Sequence, residues 1–313
     1  MAGGDVAARS AAQDGDGLFG VVPNFSEGRR PDVIDAICRA LQTPGARLVY
    51  RQADPDHNRL DTTLLGGAHA LSRGVLAGAR VALGLIDMEH HTGGHPLMGA
   101  VDVVPFIPVR DATIEDCIDL ARSFGRELAT SLDLPVYLYD RAALRPERAS
   151  LADVRAGQFE GLRDAVARGD RLPDFGPHLI GAAGATAVGA RKPLIAFNVY
   201  LDGADEDAAR AIARKVRGSS GGLPAVRAIA FAVPERGCVT VSMNLVDHDV
   251  TGMRAAFDAV AAEAAARGMT VTDSEIVGLV PRAALLEGDI EHVRLRGFDP
   301  DRQILEALIE GEG

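Results

Sequence analysis

Residues Asp87 to Phe106 read DMEHHTGGHPLMGAVDVVPF and hold three of the chain's eight histidines, His90, His91 and His95. Such a cluster could bind a metal, supply a general base, or be a polar loop. His91 and His95 are four apart, the separation of two zinc ligands on one face of a helix. Gly93 and Gly94 lie between them, however, and Pro96 pushes His95 out of the helical region. Thr92 also stands where the HExxH pattern needs its glutamate. No metal is therefore expected. His90 and His91 read as solvated loop residues. His95 is different: glycines before it allow close backbone approach, and Pro96 fixes the chain just after it. An imidazole titrating near neutrality in that position is a candidate general acid/base, although spacing alone leaves open a polar loop residue. Asp102 could orient an imidazole, but strand alternation could equally turn it away.

The segment GAAGATAVGAR resembles a phosphate loop only superficially. Ala190 and Arg191 stand where Lys and Ser/Thr are required, and GxGxxG is absent. What the segment offers is unhindered backbone N–H groups beside Arg191 and Lys192, suited to a flat ring or a carboxylate. Asn24, Asn58 and Asn244 lie near strand ends, where each taken alone is a turn or cap residue.

The elements that must position these groups follow from composition and periodicity. The chain has 313 residues, 47% apolar and 25% charged, with no Trp, which is enough for two modest domains or one large one, with a core mainly of Ala, Val, Leu and Ile. A net charge of −11 argues against nucleic acid or an anionic membrane as partner. Cys38, Cys117 and Cys238 show no paired framework, which suits a reducing, cytoplasmic setting. No apolar run is long enough to span a bilayer. Residues 1–16 read as a disordered tail without a signal-peptide core.

A first subdomain with its linker is expected over residues 17–190 and a second over 191–313. In the first, strands are expected at LFGVVPNFS, ARLVYRQA, RLDTTLLGG, VDVVPFIPV and PVYLYD. Helices follow from Pro31, Ala68 and Ile114. Pro105 makes VDVVPFIPV an edge or bulged strand. The glycine-rich stretch up to Lys192 reads as the crossing between the halves. The second half reads β-α-β-β-α-β, the order of a split βαβ unit, with a last helix from Pro300 to Glu310. The fold class is α+β, with helices on one face of each sheet. Two halves meeting sheet to sheet would cover the bare faces, and their seam would suit a ligand.

Several longer motifs occur in order: VPNFSEG, DPDHNR, GGHPLMGAVDVVPFIPV, VYLYD, DFGP…AGATAVGARKPLIAFNV, VSMNL and EIVGLVP. Together they resemble the glutamate formimidoyltransferase family, including the transferase domain of formimidoyltransferase-cyclodeaminase, from about Val21 to the C-terminus. The resemblance implies two ferredoxin-like α/β subdomains with mixed sheets facing each other across a ligand tunnel, helices outside. It implies transfer of a formimidoyl group between N-formimidoyl-L-glutamate and tetrahydrofolate in histidine degradation, with tetrahydrofolate as co-substrate.

By the same resemblance His95 is the catalytic acid/base, and Gly176, Pro177, His178, Leu179, Ile180, Gly181, Ala182, Ala183 and Gly184 form the folate segment. Asn24, Asn58, Arg59, Arg191 and Asn244 become candidate substrate contacts. A separate protein would supply the cyclodeaminase, and a homodimer is compatible with the pattern. Family members commonly read HKGEHPRMGA where this chain has HTGGHPLMGA. Thr92, Gly94 and Leu97 thus replace Lys, Glu and Arg, and Gln52 stands where some members carry an acid. The implied consequence is poorer handling of glutamate, a formimidoyl or one-carbon transferase acting on a different, less acidic amine, or a catalytically weak folate-binding homologue. Lys or Arg at positions 92 and 97 would be natural glutamate contacts. Arg59, Arg191 and Lys192 are the available substitutes.

Overall fold

A computed structural model describes residues 17–94 and 96–310; His95, residues 1–16 and residues 311–313 lie outside the described residues. Contacts divide the chain after Arg191 into two units.

The first unit contains β1 (Leu18–Val21), β2 (Asn24–Phe25), α1 (Pro31–Leu41), β3 (Ala46–Asp54), β4 (Arg59–Gly66) and α2 (Ala68–Leu85). It continues with β5 (Val101–Arg110), α3 (Ile114–Leu132), β6 (Val136–Asp140), α4 (Leu151–Val154), α5 (Gln158–Ala167) and β7 (Thr186–Ala190). Its seven strands form one mixed sheet. β3 pairs with β4, and β4 pairs with β1 and β2, which share one lane. That lane pairs with β5, all antiparallel, and β7 and β6 then follow in parallel.

Local chemistry explains the helices. Pro31 occupies the first turn of α1, whose Val33, Ile34, Ile37 and Leu41 are buried on one face. Thr113 and Asp116 close a reciprocal capping box on α3. Phe124 of α3 meets Phe106 of β5 edge to face at 5.4 Å, which ties helix to sheet. Leu138 of β6 faces Gly125 of α3. Its neighbour Tyr137 faces the opposite way, under the guanidinium of Arg148 at 4.9 Å. At the β6 end, then, both faces of this sheet are covered.

Two expectations about this unit are corrected. β5 is a central strand and not an edge, while the alternative expectation of a bulge holds, since its register shifts against both β1 and β2. The carbonyl of Pro105 accepts the amide of Val22, in the break between β1 and β2. In a strand a residue's N and O face the same neighbour, so the missing N–H of Pro105 falls in that break and no ladder bond is lost. The TAVGA stretch within the supposed crossing is β7, five buried residues between β5 and β6. Only Thr186 and Val188 carry the β-branched signature of a strand among Ala and Gly, and burial between two neighbours decides its conformation.

The second unit contains β8 (Ile195–Leu201), α6 (Glu206–Val216), β9 (Val226–Val233), β10 (Cys238–Leu245), α7 (Met253–Ala265) and β11 (Val271–Val277). The sheet order is β11-β8-β10-β9, every pair antiparallel, as in a split βαβ unit. This sheet is therefore antiparallel and not mixed; the mixed sheet belongs to the first unit. Phe197, Val199, Val239, Val241 and Met243 share a core with Ile212 of α6 and Phe257 and Val260 of α7. The single helix expected from Pro300 to Glu310 is instead two short turns, Pro300–Gln303 and Ala307–Glu310. Between them Ile304 is extended, and Leu305 donates its amide to Val280, so burial of both side chains interrupts the helix.

Candidate active site

The site begins where two loops of the first unit are stitched together. Ala100 donates its amide to Ala183 at 2.8 Å, and Ala185 donates to Met98 at 2.9 Å. Met88 donates to Ala182 at 2.8 Å. The Ser26 hydroxyl donates to the Gly99 carbonyl at 2.7 Å. Gly184 has φ +75°, and a Cβ there would lie 2.4 Å from the Met98 carbonyl, so only glycine allows this approach. The chain just after His95 is thus held against the end of the glycine-rich segment. Gly181 and Gly184 face each other in an antiparallel bridge, while among the described residues the amides of Ala182 and Ala183 have no protein acceptor.

A second clasp holds the chain just before His95. Asn58, buried and at φ +50°, donates its Nδ2–H to the Thr92 carbonyl at 2.9 Å and accepts the Gly28 amide at 2.9 Å. Gly94 donates to the Asp56 carbonyl at 3.2 Å. The Arg29 guanidinium reaches the Thr92 hydroxyl at 3.3 Å and the Pro55 carbonyl at 2.7 Å. Asn58 therefore sets loop geometry, in keeping with the turn reading of an asparagine near a strand end.

Beside these loops lies a buried polar cluster. Arg59 donates to Asn24 at 2.7 Å and pairs with Asp61 at 2.6 Å. Asp102 is fully buried, pairs with Arg155, and accepts the Met98 amide at 2.9 Å. The register of β5 against β2 shifts at Asp102, which overrides the simple alternation of a strand. Burial pushes the carboxyls of Asp102 and Asp61 above the ordinary carboxylate range, while Arg155 and Arg59 respectively pull them back. Tyr139 is pushed up to about 12 by burial and stays neutral. The Nε–H groups of Arg59 and Arg155 are buried with no acceptor among the described residues.

The structure brings Asn24, Asn58, Arg59 and Gly184 to one end of the first sheet, around the chain that carries His95. His95 itself lies outside the described residues. Within the glycine-rich segment, Gly176, His178, Leu179, Gly181 and Ala182 are exposed, Pro177 and Ala183 half-buried, and Ile180 and Gly184 buried. Arg191 donates its amide to Phe106, at the far end of β7 from Gly184. Asn244 is exposed on β10 of the second unit. Lys192 is engaged by Asp247 and Asp249, each at 2.8 Å.

Leu97 is buried in the first core, whereas Thr92 and Gly94 are exposed. Asp61, Arg155 and Tyr139 were not singled out from sequence. They are joined only by the pairing of β4, β2, β5, β7 and β6 and by the short helix α4, and no linear motif marks them.

The comparisons with known proteins agree with this architecture. The formiminotransferase domain, N-terminal subdomain, matches residues 18–191, and the formiminotransferase domain matches residues 196–309. The chain belongs to the formiminotransferase domain family. It is 39% identical over 292 residues to glutamate formimidoyltransferase of Streptococcus pyogenes serotype M1, covering 93% of this chain and 98% of that protein. It is 40% identical over 296 residues to glutamate formimidoyltransferase of Thermoplasma acidophilum, covering 94% and 97%. Against the formimidoyltransferase-cyclodeaminase of Mus musculus it is 41% identical over 328 residues, covering 95% of this chain and 60% of that protein.

Proposed function

We propose that this protein transfers a formimidoyl group between N-formimidoyl-L-glutamate and tetrahydrofolate, as the names of its full-length relatives suggest. The observation that carries the reading is the junction at Met98–Gly99 and Ala183–Ala185, which joins the His95 loop to the glycine-rich segment. The backbone amides of exposed Ala182 and half-buried Ala183 suit a flat, acceptor-rich ring. Tetrahydrofolate supplies the accepting amine. As a C–N bond forms to that amine and the C–N bond to glutamate breaks, one proton must leave the incoming nitrogen and one must reach the departing nitrogen. His95 performs both transfers in turn, as base and then acid. The buried Nε–H of Arg59, which has no acceptor among the described residues, suits a carboxylate of the amino-acid substrate. Among the described residues no group of three or more His, Cys, Asp or Glu could hold a metal.

We place the reaction in the cytoplasm, within histidine degradation, with a separate protein to deaminate the product. No described helix is long and apolar enough to cross a membrane. A second reading, a less acidic amine in place of glutamate, is favoured by the uncharged, exposed Thr92 and Gly94. The deciding experiment is turnover of purified protein with tetrahydrofolate and N-formimidoyl-L-glutamate beside N-formimidoyl-L-glutamine and N-formimidoylglycine. Faster turnover of the neutral donors favours the second reading, and no turnover of any donor removes both.

A further inference from the structure

We propose that Arg155 is a positioning residue for the transfer reaction, acting through Asp102 on the loop that carries His95; this rests on the function proposed above. Asp102 is fully buried, and a carboxylate there needs a cation and hydrogen-bond donors to remain charged. Among the described residues the cation hydrogen-bonded to it is Arg155; Arg59 is committed to Asn24 and Asp61. The other oxygen of Asp102 accepts the amide of Met98, three residues beyond His95. Met98 in turn accepts from Ala185 through its carbonyl, so one carboxylate fixes the point where the loop meets the glycine-rich segment.

The fold also fixes Arg155. It follows α4, a single turn capped by Ser150. The Arg171 guanidinium donates to the carbonyls of Asp153, Val154 and Ala156, on either side of Arg155, at 2.5 to 3.0 Å. A turn braced in this way presents the Arg155 side chain in one direction, with only 12% of it exposed. Without Arg155 the Asp102 carboxylate would be buried without its cation. It would then take up a proton or admit water, and in either case loosen its hold on the Met98 amide.

The test compares wild type, Arg155→Met, Arg155→Lys and the double variant Arg155→Met with Asp102→Asn. In the double variant the buried charge is gone, while an amide oxygen remains to accept from Met98. Arg155→Met is expected to lower kcat by about 10- to 100-fold, in the range of misplaced catalytic geometry. KM for tetrahydrofolate and for the formimidoyl donor should stay within about twofold. Arg155→Lys and the double variant should each recover a large part of the loss. Hydrogen exchange gives a readout independent of activity: the Met98 amide should exchange faster in Arg155→Met and be slowed again in the double variant. A raised donor KM with unchanged kcat would mean that Arg155 touches substrate through its Nε–H, and would overturn the proposal. Unchanged Met98 exchange in Arg155→Met, or a loss of thermal stability with normal kcat, would overturn it equally. If the wild type itself turns over no formimidoyl donor, the proposed function fails, and a Met98 exchange pattern still following the charge state of Asp102 would show that the tether alone stands.

Discussion

The side-chain amide of Asn58 donates to the Thr92 carbonyl at 2.9 Å while its own oxygen accepts the Gly28 amide at 2.9 Å. One residue between β3 and β4 thereby joins the VPNFSEG turn to the loop before His95. Its φ of +50° suits asparagine better than most residues. Replacing Asn58 with Ala leaves the buried Gly28 amide without a partner, worth about 1–3 kcal/mol, and removes the bond to the carbonyl of exposed Thr92, worth about 0.5–1.5 kcal/mol. Asn58→Ala is expected to lose about 2–4 kcal/mol in a urea titration and to lower kcat, because the loop loses its anchor. Unchanged stability would show that water or a neighbour replaces both bonds.

His95 is expected to matter for turnover far more than for stability. His95→Asn should lower kcat by about 10²–10⁴, the usual worth of a positioned acid/base. Folate affinity, measured by calorimetry, should stay close to wild type. Near-normal turnover would move the proton transfers to another group, with His91 the first to examine, since its ring contacts the Asn58 carbonyl at 3.2 Å.

The glycine-rich segment makes a prediction about ligand linkage. Folinic acid at 100 times its Kd should add about 2.7 kcal/mol to stability if it binds only the folded chain. Gly184→Ala should remove that protection and also destabilise the free protein by at least about 1–3 kcal/mol, from the strained backbone alone. The added Cβ would meet the Met98 carbonyl at 2.4 Å, so the two loops must part. Equal thermal shifts in wild type and variant would place folate elsewhere.

Positions 92 and 97 should behave oppositely when given back the charges common in the family. Thr92 is exposed, so Thr92→Lys should leave stability within about 0.5 kcal/mol. It should also lower KM for N-formimidoyl-L-glutamate, since a charge-assisted contact is worth about 1.5–3 kcal/mol. Leu97 is 3% exposed within the core, and Leu97→Arg buries a guanidinium there. The loss of packing alone is about 2–5 kcal/mol. Thermal denaturation separates the two cases, and a Leu97→Arg protein as stable as wild type would mean the loop can turn that side chain outward.

The sequence by itself determined most of the elements. Helical periodicity marked α1, α2 and α3 because one face of each must be apolar to pack, and that requirement is local and repetitive. The β-α-β-β-α-β order of the second unit was legible for the same reason. The tertiary structure decided what depends on partners distant in sequence. TAVGA is a strand because β5 and β6 flank it, and Pro105 sits mid-sheet because the opposing lane breaks beside it. The Asp102–Arg155 pair joins residues 53 apart, brought together by a register shift in β5 and a one-turn helix, neither of which has a periodic signal. Leu97 faces the core because the chain on both sides of it is already tied down, and that constraint is set by hydrogen bonds to Asp102 and Asn58 rather than by its own sequence neighbours.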